Sequence, residues 1–353
     1  MEYRTLGGTG VQVSTQCLGT MMLGAWGNSD HDAGVRIVHQ ALDAGINFVD
    51  TADVYSAGES EEIVGKALRH RRDDVVLATK VHGGMGPGPN ERGNSRVWIT
   101  REIEASLRRL KTDHVDLYQL HRSDPATDVE ETLAALTDLQ RQGKIRYFGS
   151  STFAAWQLVE AAWTADRRGL ARLRTEQPPY SILARQIELD VLPVAARYGM
   201  GVLVWSPLNR GWLTGRYRRE AFDRSPEARS SRVGGRGMGW QFDETRPEIQ
   251  RKLDAVEALT KVAADAGVSL THLAIAFSLA HPAVTSTIIG PRTEEQLADL
   301  LAGADLQLDA ATLDAIDAIV PPGTVVDPRD RGWDPWWMET EARRSPKGVS
   351  PGA

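Results

Sequence analysis

Eight short apolar runs rich in β-branched residues recur along the chain, and longer stretches of helical periodicity separate them. The runs are Cys17–Gly19, Ile46–Val49, Val75–Ala78, Val115–Leu120, Ile145–Phe148, Leu173–Glu176, Gly201–Trp205 and Ser286–Ile289. Asp128-Val-Glu-Glu131 and Thr293-Glu-Glu-Gln296 read as capping boxes that open helices. Ile103, Leu107 and Leu110 share one helical face, and Leu133, Leu136 and Leu139 share another. Eight such units in 353 residues argue for a closed (β/α)8 TIM barrel, an open doubly wound sheet being the alternative. Before the first unit, Tyr3–Leu6 and Val11–Ser14 flank Gly7-Gly8-Thr9-Gly10, which predicts a β-hairpin plugging one barrel end. The expected organisation is one barrel domain over 1–320 and an irregular tail over 321–353.

The residues that follow the eight runs are Thr20, Asp50, Lys80, His121, Ser151, Gln177, Ser206 and Gly290. In a barrel these positions share the C-terminal rim, where active sites sit. An Asp, a Lys and a His on that rim form a chemical constellation. After the seventh run, residues 208 to 247 predict a long loop rich in glycine and arginine. Such a loop has high conformational entropy, so it is expected to be mobile until a ligand orders it. The tail carries Trp333, Trp336 and Trp337 and is expected to be disordered from about Ser345.

The net charge of −6 gives no basic footprint for nucleic acid. Cys17 is the single cysteine, so no disulfide framework is possible, which suits a reducing compartment. The N-terminal residues lack the apolar stretch of a signal peptide, and no run approaches a membrane span. A cytoplasmic location is the expectation, with no membrane or nucleic-acid partner. No G-x-G-x-x-G, Walker A loop, H-E-x-x-H or C-x-x-C occurs, so a nicotinamide cofactor needs a site other than a Rossmann unit, and no metal is expected.

Asp50 and Tyr55, with Lys80 and His121, make a coherent proton-donating device. A tyrosine with an ordinary pKa of about 10 is protonated at neutral pH and can donate. A nearby ammonium, here Lys80, stabilises its phenolate, and Asp50 can hold that ammonium charged and oriented. His121 can donate a hydrogen bond to a substrate carbonyl and fix its angle.

Asp50-x4-Tyr55, Thr79-Lys80 and Asp116-Leu-Tyr-Gln-Leu-His121 together resemble the catalytic tetrad of the aldo-keto reductases. The resemblance runs from about Tyr3 to Val320 and takes in Gly143–Ser151, Trp205-Ser-Pro-Leu208 and Ile289–Thr293. It implies an NADPH-dependent oxidoreductase that reduces an aldehyde or ketone, reversibly, with Tyr55 as general acid. By the same resemblance Ser151, Thr152 and Gln177 would bind the nicotinamide carboxamide, and Trp205 would stack on its ring. The family usually has Ser-Asn where this chain has Ser151-Thr152. Ser206, Pro207, Leu208, Arg210, Gly211 and Leu213 would cover the pyrophosphate. Gly19, Thr20, Met21 and Gly290 complete the implied cofactor set. Arg292, beside a helix opened by Thr293, would clamp the 2′-phosphate. Gln296 and Asp299 would reach the adenosine, although members often have Glu-Asn where this chain has Asp299-Leu300.

Taken singly, each of these residues has a plainer role. Asp50 alone caps a loop, Tyr55 packs, and His121 is structural; only their conjunction points to catalysis. Asp53 reads as structural. Trp26 and His82 are the substrate-pocket candidates. Two other functions fit parts of the pattern: a cofactor-binding regulatory subunit like the potassium-channel β subunits, and a metal-dependent hydrolase using His82, His121 and Asp50. The substrate is a small carbonyl compound whose identity resides in the loops.

Overall fold

The computed structural model describes residues 1–219, 243–332, Met338 and Arg344. Eight parallel strands close into a barrel: β3 (Gln16–Gly19), β4 (Phe48–Asp50), β5 (Val76–Val81), β6 (Val115–Leu120), β7 (Ile145–Ser151), β8 (Thr175–Gln177), β9 (Gly201–Val204) and β10 (Ser286–Ile289). Each strand pairs with the next in sequence, and β10 returns to β3, with Ile288 opposite Cys17. The open-sheet alternative is thereby excluded. Gly19 lets this closure happen, since a Cβ there would lie 2.5 Å from the Ile288 side chain.

Alternate residues of each strand point in and out. The inward set includes Cys17, Phe48, Ala78, Leu117, Leu203 and Ile288, all buried inside the barrel. Leu6 and Val13 join that inner cluster. They come from the hairpin of β1 (Tyr3–Thr5) and β2 (Gln12–Ser14), which pairs antiparallel and stoppers the N-terminal end, as predicted. Burying a side chain of this size stabilises by about 1.5–3 kcal/mol. Gly7, at φ 53°, turns the hairpin within touching distance of the Gly201 backbone, where no Cβ would fit. The catalytic possibilities are therefore confined to the other end.

The outward face packs against helices α1 (His31–Asp43), α2 (Glu59–Ala67), α3 (Arg96–Leu110), α4 (Val129–Arg141), α5 (Ala155–Arg168) and α6 (Val191–Tyr198). Four more follow: α7 (Pro247–Asp265), α8 (Leu270–Ala280), α9 (Glu294–Ala302) and α10 (Ala310–Ile319). Ile103, Leu107, Leu110, Leu133, Leu136 and Leu139 are all buried, as their spacing implies. Among the described residues no single helix is long and apolar enough to cross a membrane.

Three local expectations are corrected. Asp50, Lys80, Ser151 and Gln177 lie inside their strands rather than after them, because polar partners at the rim satisfy side chains that an apolar run leaves out. Asp128 caps α4 through the Glu130 amide, but Glu131 pairs with Arg96 instead of reaching back. Thr293 caps α9 through the Gln296 amide, yet the Gln296 side chain accepts from the Arg292 amide, one residue before the cap. Neither is a reciprocal capping box. The segment after α10 packs on the barrel through buried Asp327 and Asp330, which pair with Arg246 and Lys252. Residues 220–242 of the predicted loop, and the Trp333, Trp336, Trp337 and Ser345 expectations, lie outside the described residues.

Candidate active site

The four tetrad candidates meet at the C-terminal rim. Asp50 ends β4, Lys80 lies one residue before the end of β5, and His121 follows β6. Tyr55 opens a short turn, Tyr55–Gly58, in which Ser56 and Ala57 take left-handed φ values of 50° and 57°. Those unfavourable angles aim Tyr55 back over the barrel. The fully buried Lys80 Nζ donates to Asp50 Oδ2, to the Thr51 carbonyl at 2.9 Å and to the Tyr55 hydroxyl at 3.1 Å. Its three protons are thus all placed. The His121 ring stands edge-on to Tyr55, centroids 5.8 Å apart. On another side, Trp26 lies 6.0 Å from the Tyr55 ring, and only it and His82 come forward as pocket walls from the sequence.

Asp50 is held from both sides. Its Oδ1 accepts from Gln119 Nε2 at 3.0 Å and from Gln177 Nε2 at 2.9 Å. Sequence reasoning missed Gln119, although Gln119 and His121 are two apart on one strand and so share its inner face. Gln177 has a partner within the barrel as well. Its amide nitrogen serves Asp50 because the buried carboxylate offers a stronger, charged acceptor. Thr20, likewise, is turned inward: its hydroxyl donates to the Asp50 carbonyl at 3.2 Å and accepts from Ser60 at 2.8 Å.

Burial pushes the Tyr55 phenol up, the Lys80 charge pulls it back, and the net direction is upward. Lys80 favours the phenolate as expected, by its charge and its hydrogen bond, but burial outweighs it. Tyr55 therefore keeps its proton through neutral pH. Burial works against the Lys80 ammonium, but Asp50 and Tyr55 outweigh it, so the amine is held charged. Burial, then Lys80 and Arg122, depresses His121 well below the ordinary histidine range, leaving a neutral imidazole. His82 is depressed chiefly by burial, and its Nδ1 lies 3.0 Å from Asn94 Oδ1. Asp53, fully buried and pushed well up by burial, accepts from the Val54 amide at 2.7 Å and stays behind the site.

Ser151 ends β7, and Thr152 opens the turn that follows it. Thr152 has φ 59°, an outlier for a β-branched residue, so its surroundings must enforce it. Glu176, whose side chain points away from that of Gln177, is the enforcer. It is fully buried, accepts from Ser150 Oγ at 2.5 Å and from the Phe153 amide at 3.1 Å, and so brackets the turn. A glutamate closing the apolar run Leu173–Glu176 was the missed signal. Burial raises its carboxyl to about 7, against its hydrogen bonds. Between its ordinary 4.5 and about 7 the folded state keeps a proton that the unfolded chain has lost. Its contribution to stability is therefore full below 4.5 and is lost as pH rises through 7. Glu176→Gln is expected to stabilise increasingly relative to the parent from pH 5 to pH 8. Urea midpoints at four pH values check this, and parallel curves would refute it.

Around the rest of the rim, Ser206, Asn209 and Arg210 all adopt left-handed φ, and Gly211 has φ 92° in the turn Asn209–Thr214. Ser206 Oγ accepts from the Arg210 amide at 3.2 Å. Pro207 and Leu213 are buried beneath, Leu208 partly so. Lys252 fastens this turn from α7, bonding Asn209 Oδ1 at 3.0 Å and Asp330 at 2.5 Å. Trp205 is held by backbone bonds with Pro178 and Tyr180. Met21 is exposed and Gly290 is open, a Cβ there meeting nothing within 4 Å. Arg292 is exposed before α9, and no carboxylate pairs with it among the described residues. The Asp299 carboxylate lies 3.5 Å from His272, which also bonds the Asp299 carbonyl at 2.8 Å. Among the described residues no three His, Cys, Asp or Glu side chains converge as metal ligands. The oxygens of Asp50 are already taken by Lys80, Gln119 and Gln177.

The stoppered barrel thus carries a buried Asp50–Lys80–Tyr55 cluster and a histidine depressed well below its ordinary range at its open rim. The chain belongs to the aldo/keto reductase family, whose model matches residues 16–321. It is 40% identical to an uncharacterized oxidoreductase of Bacillus subtilis, YrpG, over 91% of this chain and 96% of that protein. It is 35% identical to the aldo-keto reductase YhdN of the same organism, over 93% and 96%. It is also 36% identical to a probable voltage-gated potassium channel subunit beta of Arabidopsis thaliana, over 91% and 97%. The protein is therefore an oxidoreductase of this family.

Proposed function

We propose that the protein is a cytoplasmic NADPH-dependent reductase of aldehydes or ketones, with Tyr55 as the proton donor. The observation that carries this reading is the Lys80 bridge, which joins Asp50 to the Tyr55 hydroxyl at the rim. The rim also fits a dinucleotide. The strained Ser151-Thr152 turn offers two hydroxyls 3.4 Å apart, Gly290 leaves open space, and the Arg292 guanidinium stands without a carboxylate among the described residues. In this reading Ser151, Thr152 and the Gln177 side chain face the carboxamide, and Trp205 faces the ring. Ser206, Leu208, Arg210, Gly211 and Leu213 face the pyrophosphate, and Arg292 with Gln296 faces the 2′-phosphate end. When bound, NADPH supplies the hydride.

The chain's own residues do the rest. The His121 imidazole donates a hydrogen bond to the substrate carbonyl and orients it. The Tyr55 hydroxyl gives its proton to that oxygen as charge develops there, producing the alcohol. Lys80 steadies the phenolate left behind, and Asp50, fixed by Gln119 and Gln177, keeps Lys80 in place. The same groups run in reverse for alcohol oxidation. Cys17, buried as a free thiol, suits the reducing compartment proposed.

NADPH consumption across a panel of aldehydes, ketones and keto-sugars tests the reading. Steady turnover supports it. Tight NADPH binding without turnover of any member would replace it with a cofactor-binding subunit. Cofactor preference has its own test. Arg292→Ala is expected to weaken NADPH about tenfold to a hundredfold, from the loss of one charge-assisted contact worth roughly 1.5–3 kcal/mol, and NADH hardly at all. Equal weakening of both in fluorescence titrations would remove Arg292 from the phosphate.

A further inference from the structure

Resting on the reductase reading above, we infer that this site takes carbonyl substrates bearing a negatively charged group, a carboxylate or a phosphate, and that Arg122 is the residue that reads it. Arg122 directly follows His121 at the end of β6 and is half-buried. Its guanidinium has one hydrogen bond, from Nη1 to the His121 carbonyl at 2.5 Å. Among the described residues no carboxylate lies within ion-pair distance of it. Four other partly buried arginines are paired. Arg72 is paired with Asp116, Arg109 with Glu61 and Glu102, Arg185 with Glu188 and Asp317, and Arg246 with Asp327. A partly desolvated guanidinium with four donors unused is costly unless something occupies them.

The surroundings say where the missing partner belongs. The groups that feel the Arg122 charge are Tyr55, His121, His82 and Glu176. Arg122 sits at the rim one residue from His121, whose ring stands edge-on to Tyr55, so the guanidinium stands beside the substrate space. None of these four side chains is ion-paired or hydrogen-bonded to it, although the Glu176 carboxylate acts on its charge from a distance. Glu176 is committed to Ser150 and Phe153, and the nearby Asp124 is committed to the Asn94 and Ala126 amides and the Thr127 hydroxyl. Lys80 adds little net charge because Asp50 answers it. The pocket therefore keeps a guanidinium without an ion pair beside the tetrad.

That charge is badly placed for the phosphates of the proposed cofactor. In the barrel order, β6 lies four strands from β10 in either direction, diametrically opposite Arg292. A planar guanidinium with adjacent free N–H groups suits a carboxylate or phosphate held by two parallel bonds. Arg122 thus serves as a specificity residue for a charged tail on the substrate.

Two matched pairs of probes test this with the whole enzyme and NADPH: 4-carboxybenzaldehyde against methyl 4-formylbenzoate, and glyceraldehyde 3-phosphate against glyceraldehyde. The expected result is a preference of about tenfold to a hundredfold in kcat/KM for the charged member of at least one pair. The pair that shows it tells carboxylate from phosphate. Arg122→Gln should erase the preference mainly by raising KM for the charged probe, with kcat on the neutral probe and the NADPH Kd unchanged. Arg122→Lys should restore part of it. The unchanged Kd and neutral-probe rate also report that the variants are folded. Equal turnover of both members in both pairs by the parent enzyme overturns the inference and leaves the reductase reading standing. So does a uniform loss on charged and neutral probes in both variants, or a weakened NADPH Kd. No turnover of any probe overturns the reductase reading, and this inference with it.

Discussion

Replacing Tyr55 with phenylalanine is expected to lower kcat for aldehyde reduction by about 10²–10⁴-fold, the range for losing a positioned general acid. Affinity for NADPH should stay within about twofold of the parent, since the substitution removes one hydroxyl and leaves the ring. The fold should survive too. Lys80 keeps Asp50 and the Thr51 carbonyl as partners, so no buried charge is orphaned. The phenol stands above its ordinary pKa, with burial the main cause. The parent rate should therefore hold flat through neutral pH and fall only at strongly alkaline pH, where the proton is lost. Stopped-flow hydride transfer with an aldehyde, paired with a fluorescence titration of NADPH, separates the two effects. A variant that keeps most of its turnover would remove Tyr55 from the proton transfer, and one that cannot bind NADPH would recast it as a cofactor contact.

Lys80→Met should act on stability as well as on rate. The ammonium is fully buried against Asp50, and removing one member of a buried pair costs about 3–5 kcal/mol because the other is left uncompensated. For a chain of this size that lowers Tm by roughly 4–7 °C. Methionine fills nearly the same volume, so the loss is electrostatic rather than a cavity. The double variant Lys80→Met, Asp50→Asn should recover most of the loss, because no charge is then buried, while activity stays low. Thermal melts followed by circular dichroism, run beside the rate assay, decide the matter. A single variant melting within 2 °C of the parent, or a double variant no better than the single, would mean that the pair is not what holds this part of the barrel.

What the sequence made readable is local. The strand runs declared themselves because a parallel barrel buries both faces of each strand, leaving near-continuous β-branched residues. Asp50, Lys80 and His121 stood out because polar residues at the ends of such runs have few structural reasons to be there. The pairing of those residues was not readable, because it depends on separations that no period encodes. Gln119 and Gln177 reach Asp50 from strands two and four places around the barrel, so their roles appear only on closure. The strained Thr152 turn depended on a glutamate from the next strand. Arg292 and Asp299 stood apart already, since the Asp299-Leu300 pair departs from the usual Glu-Asn while Arg292 sits at the helix start. In the structure His272 on α8 claims Asp299 and nothing described claims Arg292.

The junction of β10 with β3 carries a cost that the finished barrel conceals. A closed sheet has no free edge, but this one closes only when Ser286–Ile289 reaches Gln16–Gly19 from the far end of the strand sequence. Until then the nascent chain carries two open strand edges flanked by apolar faces, the surfaces that invite aggregation. Contacts of such long sequence separation also form slowly. During synthesis this protein must therefore wait, largely assembled and unsealed, for its eighth strand. A chain ending before Ser286 would leave those edges open and is expected to aggregate.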